Sequence, residues 1–335
     1  MRSELNYRTF VVANPTAAAG RVEEEWEHLE RLMRAGLPEL DAAFTEGPGH
    51  ATVLTREALR AGWEMIVCVG GDGTLNEVVN GFYEARDPHE DYELEDGWLR
   101  RKQKPPIEPI NPEAVLGVMP LGTGGDFRRT IGFMGGKRET ISHLSGKETR
   151  EIDVGEIAYL DFEGNLARRY FLNIASAGFS GSVDEVANNM WKGLGGKGSF
   201  MLASARAFAR WRNVELDTLI GDTIERSGEV FNFVVANGEY FGGGMWVAPG
   251  AQLDDGMFQI VEMGDLSKME MLWLVQTIYR GHHLEYPSVE RFRADHVAAR
   301  PSDPREIVRI DVDGEAPGRL PAYWSIHNRV LPLKF

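Results

Sequence analysis

Met65-Ile66-Val67-Cys68-Val69-Gly70-Gly71-Asp72-Gly73-Thr74-Leu75-Asn76-Glu77 carries the pattern that decides the fold. The β-branched apolar run from Met65 to Val69 reads as a buried parallel strand. Leu75, Val78, Val79 and Phe82, at i, i+3, i+4 and i+7, read as the inner face of a helix. Between them stand three glycines and one carboxylate, Asp72. Glycines at a strand-to-helix turn remove Cβ atoms, so a nucleotide phosphate can approach backbone N–H groups and the positive end of the helix. A carboxylate beside a phosphate repels it unless a divalent cation lies between, and Mg²⁺ typically binds through one or two carboxylates plus substrate phosphates. The stretch therefore reads as a turn for a Mg²⁺-nucleotide. A plain tight βα turn with a carboxylate near the helix start is the blander alternative.

Working outward, Phe10-Val11-Val12-Ala13 is a short strand that ends in the small-residue loop Asn14-Pro15-Thr16-Ala17-Ala18-Ala19-Gly20. Val22, Trp26, Leu29, Leu32 and Met33 make a helix face closed by Gly36 and Pro38. A second strand from Leu40 to Phe44 gives way at Thr45, and Val53, Leu54, Ala58 and Leu59 mark the next helix. Downstream, Val115-Leu116-Gly117-Val118-Met119 leaves through Pro120-Leu121-Gly122-Thr123-Gly124-Gly125-Asp126-Phe127, a second glycine loop with its own carboxylate. This alternation describes an open, mostly parallel α/β sheet whose ligands sit outside the carboxyl ends of its strands. Two glycine loops at neighbouring exits would form two lips of one nucleotide site. Between the halves, residues 84–113 dissolve into charge and proline and read as an exposed, weakly ordered insertion.

After Gly146 the texture turns to β, with runs at 151–154, 170–174, 230–236, 257–261 and 307–312. Helices are expected over about 199–211 and 268–279, the second apolar nearly all round, which points to burial between layers or to lipid contact. Near the end, Asp313-Gly314-Glu315 reads locally as an ordinary hairpin turn.

Composition bounds the rest. The 335 residues suffice for two domains, and 36 basic against 51 acidic residues give −15, which argues against nucleic acid as a bulk partner. The single cysteine, Cys68, reads as a small buried residue, with no disulfide framework and a reducing cytoplasm as the fitting location. No apolar run approaches the roughly 20 residues a spanning helix needs, and the N-terminus lacks an apolar signal core, so membrane contact is expected to be peripheral.

Assembled, these residues resemble the catalytic domain shared by diacylglycerol kinases, sphingosine and ceramide kinases and the soluble bacterial lipid kinases. The matching pieces are Asn14-Pro15-Thr16, Gly70 to Glu77, Pro120 to Gly124 with Asp126-Phe127, Asn237-Gly238 with Gly242-Gly243-Gly244, Pro249-Gly250-Ala251 through Asp255-Gly256, and Asp313-Gly314-Glu315. They arrive in family order. The first glycine motif alone is shared with NAD kinases and phosphofructokinases; its Asn76-Glu77-Val78 continuation and the Pro-Leu-Gly-Thr-Gly loop narrow it to lipid kinases.

The resemblance implies a doubly wound, NAD kinase/phosphofructokinase-like α/β nucleotide domain over 1–148 and a C-terminal β-sandwich over 149–335. The cleft would lie between them, and about 320–335 would return to the first domain. It implies ATP held by Asn14, Pro15, Thr16, Thr45, Gly71, Asp72, Gly73, Thr74, Leu75, Asn76, Glu77, Gly122, Thr123 and Gly124; the Mg²⁺ of that nucleotide is expected at Asp72, with Asp126 of the second loop left open as a further catalytic carboxylate. Glu315 looks like the acceptor of the lipid hydroxyl proton, with Asp313 as second choice. A structural Mg²⁺ would take the Asp255 carboxylate and the Gln252 and Met257 carbonyls.

The implied activity is ATP-dependent phosphorylation of a lipid alcohol, diacylglycerol or a sphingoid base, by a cytoplasmic chain that touches membranes transiently. A homodimer is left open. Apolar candidates for the lipid side are Phe179, Phe208, Trp211, Trp246 and Trp273. Two departures stand out: Ala17-Ala18-Ala19 replaces the family's serine-glycine pair, and Gly125 replaces the asparagine of the second loop. A small-molecule or NAD kinase and a nucleotide-binding regulatory protein without turnover are the rival readings.

Overall fold

The computed structural model describes residues 7–37, 39–103, 107–121, 125–181 and 211–335. The chain divides into two compact units, the first of residues 1–85, 106–153 and 329–335, the second of residues 86–105 and 154–328.

The first unit runs β1 (Thr9–Ala13), α1 (Trp26–Gly36), β2 (Leu40–Phe44), α2 (His50–Arg60), β3 (Met65–Gly70), α3 (Asp72–Gly81), β4 (Val115–Pro120), α4 (Asp126–Thr130) and α5 (Lys137–Ser145). The sheet is parallel in the order β4, β3, β1, β2, and the chain's last strand pairs with β4 at Leu333 and Leu116. Its strands are covered on both faces, which is why β3 is an unbroken apolar run, every residue of it buried. Gly117 of β4 lets α5 approach, since a Cβ there would stand 2.6 Å from Leu144. Backbone bonds hold the strand exits level: Asn14 N–H to Val69 O at 2.9 Å, Thr45 N–H to Ala13 O at 2.9 Å and Leu121 N–H to Gly70 O at 3.1 Å. The expected convergence of these loops on one sheet edge is therefore observed. The helix face expected from Val53 is rotated in α2, where Ala51, Thr55, Ala58 and Leu59 are buried and Val53 is exposed.

The second unit is β-rich and antiparallel. Strands Val289–Ala294, Phe258–Met263, Asn232–Ala236, Ile174–Gly178, Arg309–Val312 and Glu315–Lys334 follow one another across it. Pairing continues from the last of these through His296–Pro301 to Val214–Ile220 and Ile224–Val230. Alternation does the sorting: Val214, Leu216 and Ile220 point inward while Glu215 is exposed. Trp324 is fully buried against Phe233, and Phe171 stacks on Phe258 at 5.7 Å. The expected fold class, a parallel α/β sheet followed by a β-rich half, is thus what the structure shows. Helix α6 (Lys268–Ile278) lies where expected, whereas residues 199–210 of the other expected helix fall outside the described residues. Among the described residues no helix is long and apolar enough to cross a membrane.

The segment read as a weakly ordered insertion is ordered over its described residues. A helical turn at Pro88–Asp91 leads into a hairpin of Tyr92–Glu95 with Trp98–Arg101, and Asp91, Tyr92 and Leu99 are buried in the second unit. Its buried carboxylate is paired. Asp91 takes Arg86 at 3.2 Å and Arg168 at 3.1 Å; Arg168 also takes Glu156 at 3.1 Å, and Glu156 takes His327 at 2.6 Å. Arg300 lies 4.7 Å over the Trp98 ring. Charge density read locally as solvation is here a buried network assembled over long sequence separations. The expected strand at 170–174 is likewise split at Leu172-Asn173, for a reason given below.

Candidate active site

Helix α3 is the hub of the strand-exit edge in the first unit. Gly70 has no room for a side chain, because a Cβ there would stand 2.8 Å from Thr74. Asp72 turns its carboxylate away from its own helix: Oδ2 accepts the Asp126 amide at 3.1 Å and Oδ1 the Phe127 amide at 3.3 Å, so it caps α4. Glu77 does the same for α2, accepting from Gly49 N–H at 2.8 Å and Ala51 N–H at 3.1 Å. Among the described residues no side chain caps α3 itself. Its first intrahelical bond runs from Leu75 N–H to Gly71 O at 3.0 Å, so the amides of Asp72, Gly73 and Thr74 precede the helical ladder. Of these neighbouring helices, α3 gives its carboxylates outward and leaves its own positive end uncapped.

Asn14 completes this edge, its Nδ2 donating to Thr74 Oγ1 at 3.0 Å while its Oδ1 accepts from Thr16 N–H and Oγ1 at 3.0 and 2.9 Å. Pro15 bridges the two, and Thr45 sits at the neighbouring exit of β2. Leu75 and Asn76 are buried, and Asn80 donates to Asn76 at 2.8 Å. Gly122, Thr123 and Gly124 lie outside the described residues. Asp126 is buried and pairs with Arg129 at 2.9 Å. Each Asp72 oxygen accepts one amide and keeps lone-pair capacity, so this carboxylate fits Mg²⁺ as one ligand among water and phosphate oxygens. Cys68 behind it has its thiol pushed well up by burial and then by the Asp72 and Glu77 charges, which leaves it inert.

The two family departures acquire physical meaning. Gly125 has φ +63°, a region that glycine and asparagine both tolerate, so the exchange keeps the loop's shape. Ala18 and Ala19 also have positive φ, +54° and +62°, where alanine is strained and glycine would not be.

In the second unit, Asp313 (φ +50°) accepts three amides, Leu172 at its Oδ2 and Asn173 and Ile174 at its Oδ1, all at 3.0 Å. This splits the strand at 172–173. Asn237 Nδ2 donates to Leu172 O at 2.7 Å, and Gly238 N–H to Asn173 O at 2.7 Å, so the Asn-Gly motif braces the same loop. Glu315, by contrast, is 38% exposed at its side chain and pairs with Arg169 at 2.6 Å. Arg169 escaped the sequence reading because nothing in the spacing of Arg168-Arg169 ties it to residue 315.

Asp255 Oδ1 accepts Met257 N–H at 3.0 Å, and its other oxygen pairs with Arg293. Gln252 and Met257 lie on the same turn. Among the described residues no cluster of three His, Cys, Asp or Glu side chains is placed to hold a metal. Of the apolar candidates, Phe179 and Trp211 pack on Phe231, Trp246 stacks on Tyr240, Trp273 is 58% exposed and Phe208 lies outside the described residues. A cavity of about 290 Å³ in the first unit is lined by Pro120, Arg128, His143 and Lys334 but by no residue of the β3–α3 turn.

Residues 8–157 match the diacylglycerol kinase catalytic domain, and residues 173–334 match the YegS C-terminal NAD kinase beta sandwich-like domain. A diacylglycerol kinase of Staphylococcus carnosus (strain TM300) is 27% identical over 326 residues, covering 94% of this chain and 90% of that one. Another, from Staphylococcus haemolyticus (strain JCSC1435), is 26% identical over 315 residues, covering 93% and 83%. Two solved chains from Bacillus anthracis str. Sterne share the fold. One has TM-score 0.72 and 21% identity over 100% of this chain and 97% of that one; the other has 0.66 and 18% over 98% and 96%. Fold and matched domains together define a phosphotransferase with an alcohol group as acceptor. The chain belongs to the diacylglycerol kinase catalytic-domain family.

Proposed function

We propose that this chain is an ATP-dependent lipid kinase that transfers the γ-phosphoryl group to the hydroxyl of a lipid alcohol, diacylglycerol before a sphingoid base. The observation that supports it most is the first turn of α3, whose amides are left uncapped while its own carboxylates cap the helices on either side. Phosphoryl transfer asks for positioning and charge neutralisation more than for covalent chemistry by the protein. The amides of Asp72 to Thr74 receive the phosphates, and Asn14, tied to Thr74, fixes the neighbouring loop. Mg²⁺, when bound through Asp72, supplies neutralisation of the charge between the β- and γ-phosphates. Glu315 takes the proton of the acceptor hydroxyl, and Arg169 orients its carboxylate. Asp313, engaged by three amides, shapes the turn that presents Glu315 and is not the base.

The test is ADP release from ATP and Mg²⁺, alone and with diacylglycerol, sphingosine or NAD. Stimulation by diacylglycerol is expected. Stimulation by NAD alone, or tight ATP binding without acceptor-dependent release, overturns the reading. Glu315→Gln should lower kcat by about 10²–10⁴ with nucleotide affinity unchanged, the range for loss of a general base.

A further inference from the structure

We propose that the outward face of α6 is a docking surface for anionic phospholipid bilayers. Helix α6 is held by Met271, Leu274 and Ile278, which are buried in the core of the second unit. At about 3.6 residues per turn, the opposite face carries Met269, Leu272, Trp273, Gln276, Tyr279 and Arg280. Met269 is 64%, Leu272 46%, Trp273 58% and Tyr279 52% exposed. The other exposed large apolar residues among those described each stand alone in sequence, and a scattered one needs no explanation; a cluster on one helix does.

The occupant follows from chemistry and charge. Tryptophan and tyrosine with leucine and methionine are the side chains that settle at the headgroup boundary of a bilayer. Lys268 and Arg280 stand at the two ends of the helix, where long cationic side chains can reach lipid phosphates while their stems lie along apolar surface. In a chain of net charge −15 this face carries no carboxylate. The acids nearby are turned elsewhere: Glu270 closes the capping box by accepting from Ser267 N–H at 2.8 Å, and Asp265 accepts from Asn213 Nδ2 at 2.7 Å. The far end is anchored at Gly281, where a Cβ would stand 3.0 Å from Pro249 and 3.2 Å from Trp246. The inference shares one premise with the proposed function, an acceptor that resides in a membrane.

The experiment is co-sedimentation of the full chain, without nucleotide, with vesicles of phosphatidylcholine alone or mixed with phosphatidylglycerol. The native chain is expected to partition onto the mixed vesicles, and Leu272→Ser/Trp273→Ser to lose roughly tenfold or more of that partitioning, as expected for removing two interfacial anchors. Lys268→Glu/Arg280→Glu should lose binding to mixed vesicles while leaving any binding to phosphatidylcholine alone. Both variants should keep the circular dichroism spectrum, and Lys268→Glu/Arg280→Glu the phosphorylation rate on a short-chain, water-soluble diacylglycerol. Undiminished sedimentation of the Leu272/Trp273 variant overturns the proposal. So does a native dimer that this variant converts to monomer, which would make the face a contact with a second copy. Vesicle binding lost in the variant from a chain with no kinase turnover would leave docking standing and remove the kinase reading instead.

Discussion

The β3–α3 turn and the Asp313 turn are both acidic, glycine-containing loops, yet they use their carboxylates in opposite ways. Asp313 gathers three amides of its own unit and is consumed by them, so Glu315 two residues on is the acid left near solvent. In α3, Asp72 and Glu77 are lent to other helices, and what is left over is a set of donors, the amides of the first turn. One loop ends with a carboxylate near solvent, paired with Arg169, and the other with spare donors. The contrast teaches that a motif's most eye-catching residues can be the scaffold, and that its chemistry resides in what the scaffold leaves unsatisfied.

The sharpest way to break that contrast is Asp72→Asn. It should lower turnover on the order of 10³, the scale for removing an electrostatic stabiliser of the transferring group, with only a small drop in thermal midpoint because an amide oxygen can still accept one α4 amide. Near-normal turnover would refute the role given to Asp72. Asp313→Ala should act on stability instead. Leaving three amides without their acceptor should cost roughly 3 kcal/mol or more, read from urea unfolding.

The second unit should also carry its own acid sensitivity. His283 is buried with Nε2 2.9 Å from the Val247 carbonyl, and burial lowers its pKa from 6.5 to about 4. The unfolded chain therefore takes up this proton first as pH falls. The stability contribution is complete above pH 6.5 and is lost between 6.5 and about 4, as much as roughly 3 kcal/mol. His283→Gln should flatten that part of a stability–pH curve, and an unchanged slope would assign it to other groups. Glu77→Ala, which uncaps α2, should lower stability by about 1 kcal/mol and affect turnover far less than Asp72→Asn. Smallest of all, Ala19→Gly should raise the midpoint by relieving about 1 kcal/mol of left-handed strain; a fall would show that the strain is absent.

Much of this was legible beforehand because the signals were local. β3 is apolar throughout since both sheet faces are covered, and Gly70 at its exit leaves the room that the Thr74 side chain takes. What escaped depended on partners distant in sequence. The capping of α4 by Asp72 and of α2 by Glu77 was not legible, because it joins them to loops 54 and 28 residues away. Asp91 read as solvated, because its partner Arg168 lies 77 residues on. Thr55 is fully buried where Val53 was expected, since the phase of α2 is set by packing and not by its apolar count.

The hairpin at 92–101 has a last consequence, for how such a chain can be divided. Its residues are spelled out in the middle of the first unit's sequence but reside in the second, so no single cut yields either unit intact. A fragment beginning near residue 149 would retain Arg168 and Glu156 and forfeit Asp91, stranding a buried guanidinium beside one missing carboxylate, a defect that typically amounts to about 3–5 kcal/mol. Recombination between relatives could exchange the two units only by swapping interleaved passages together.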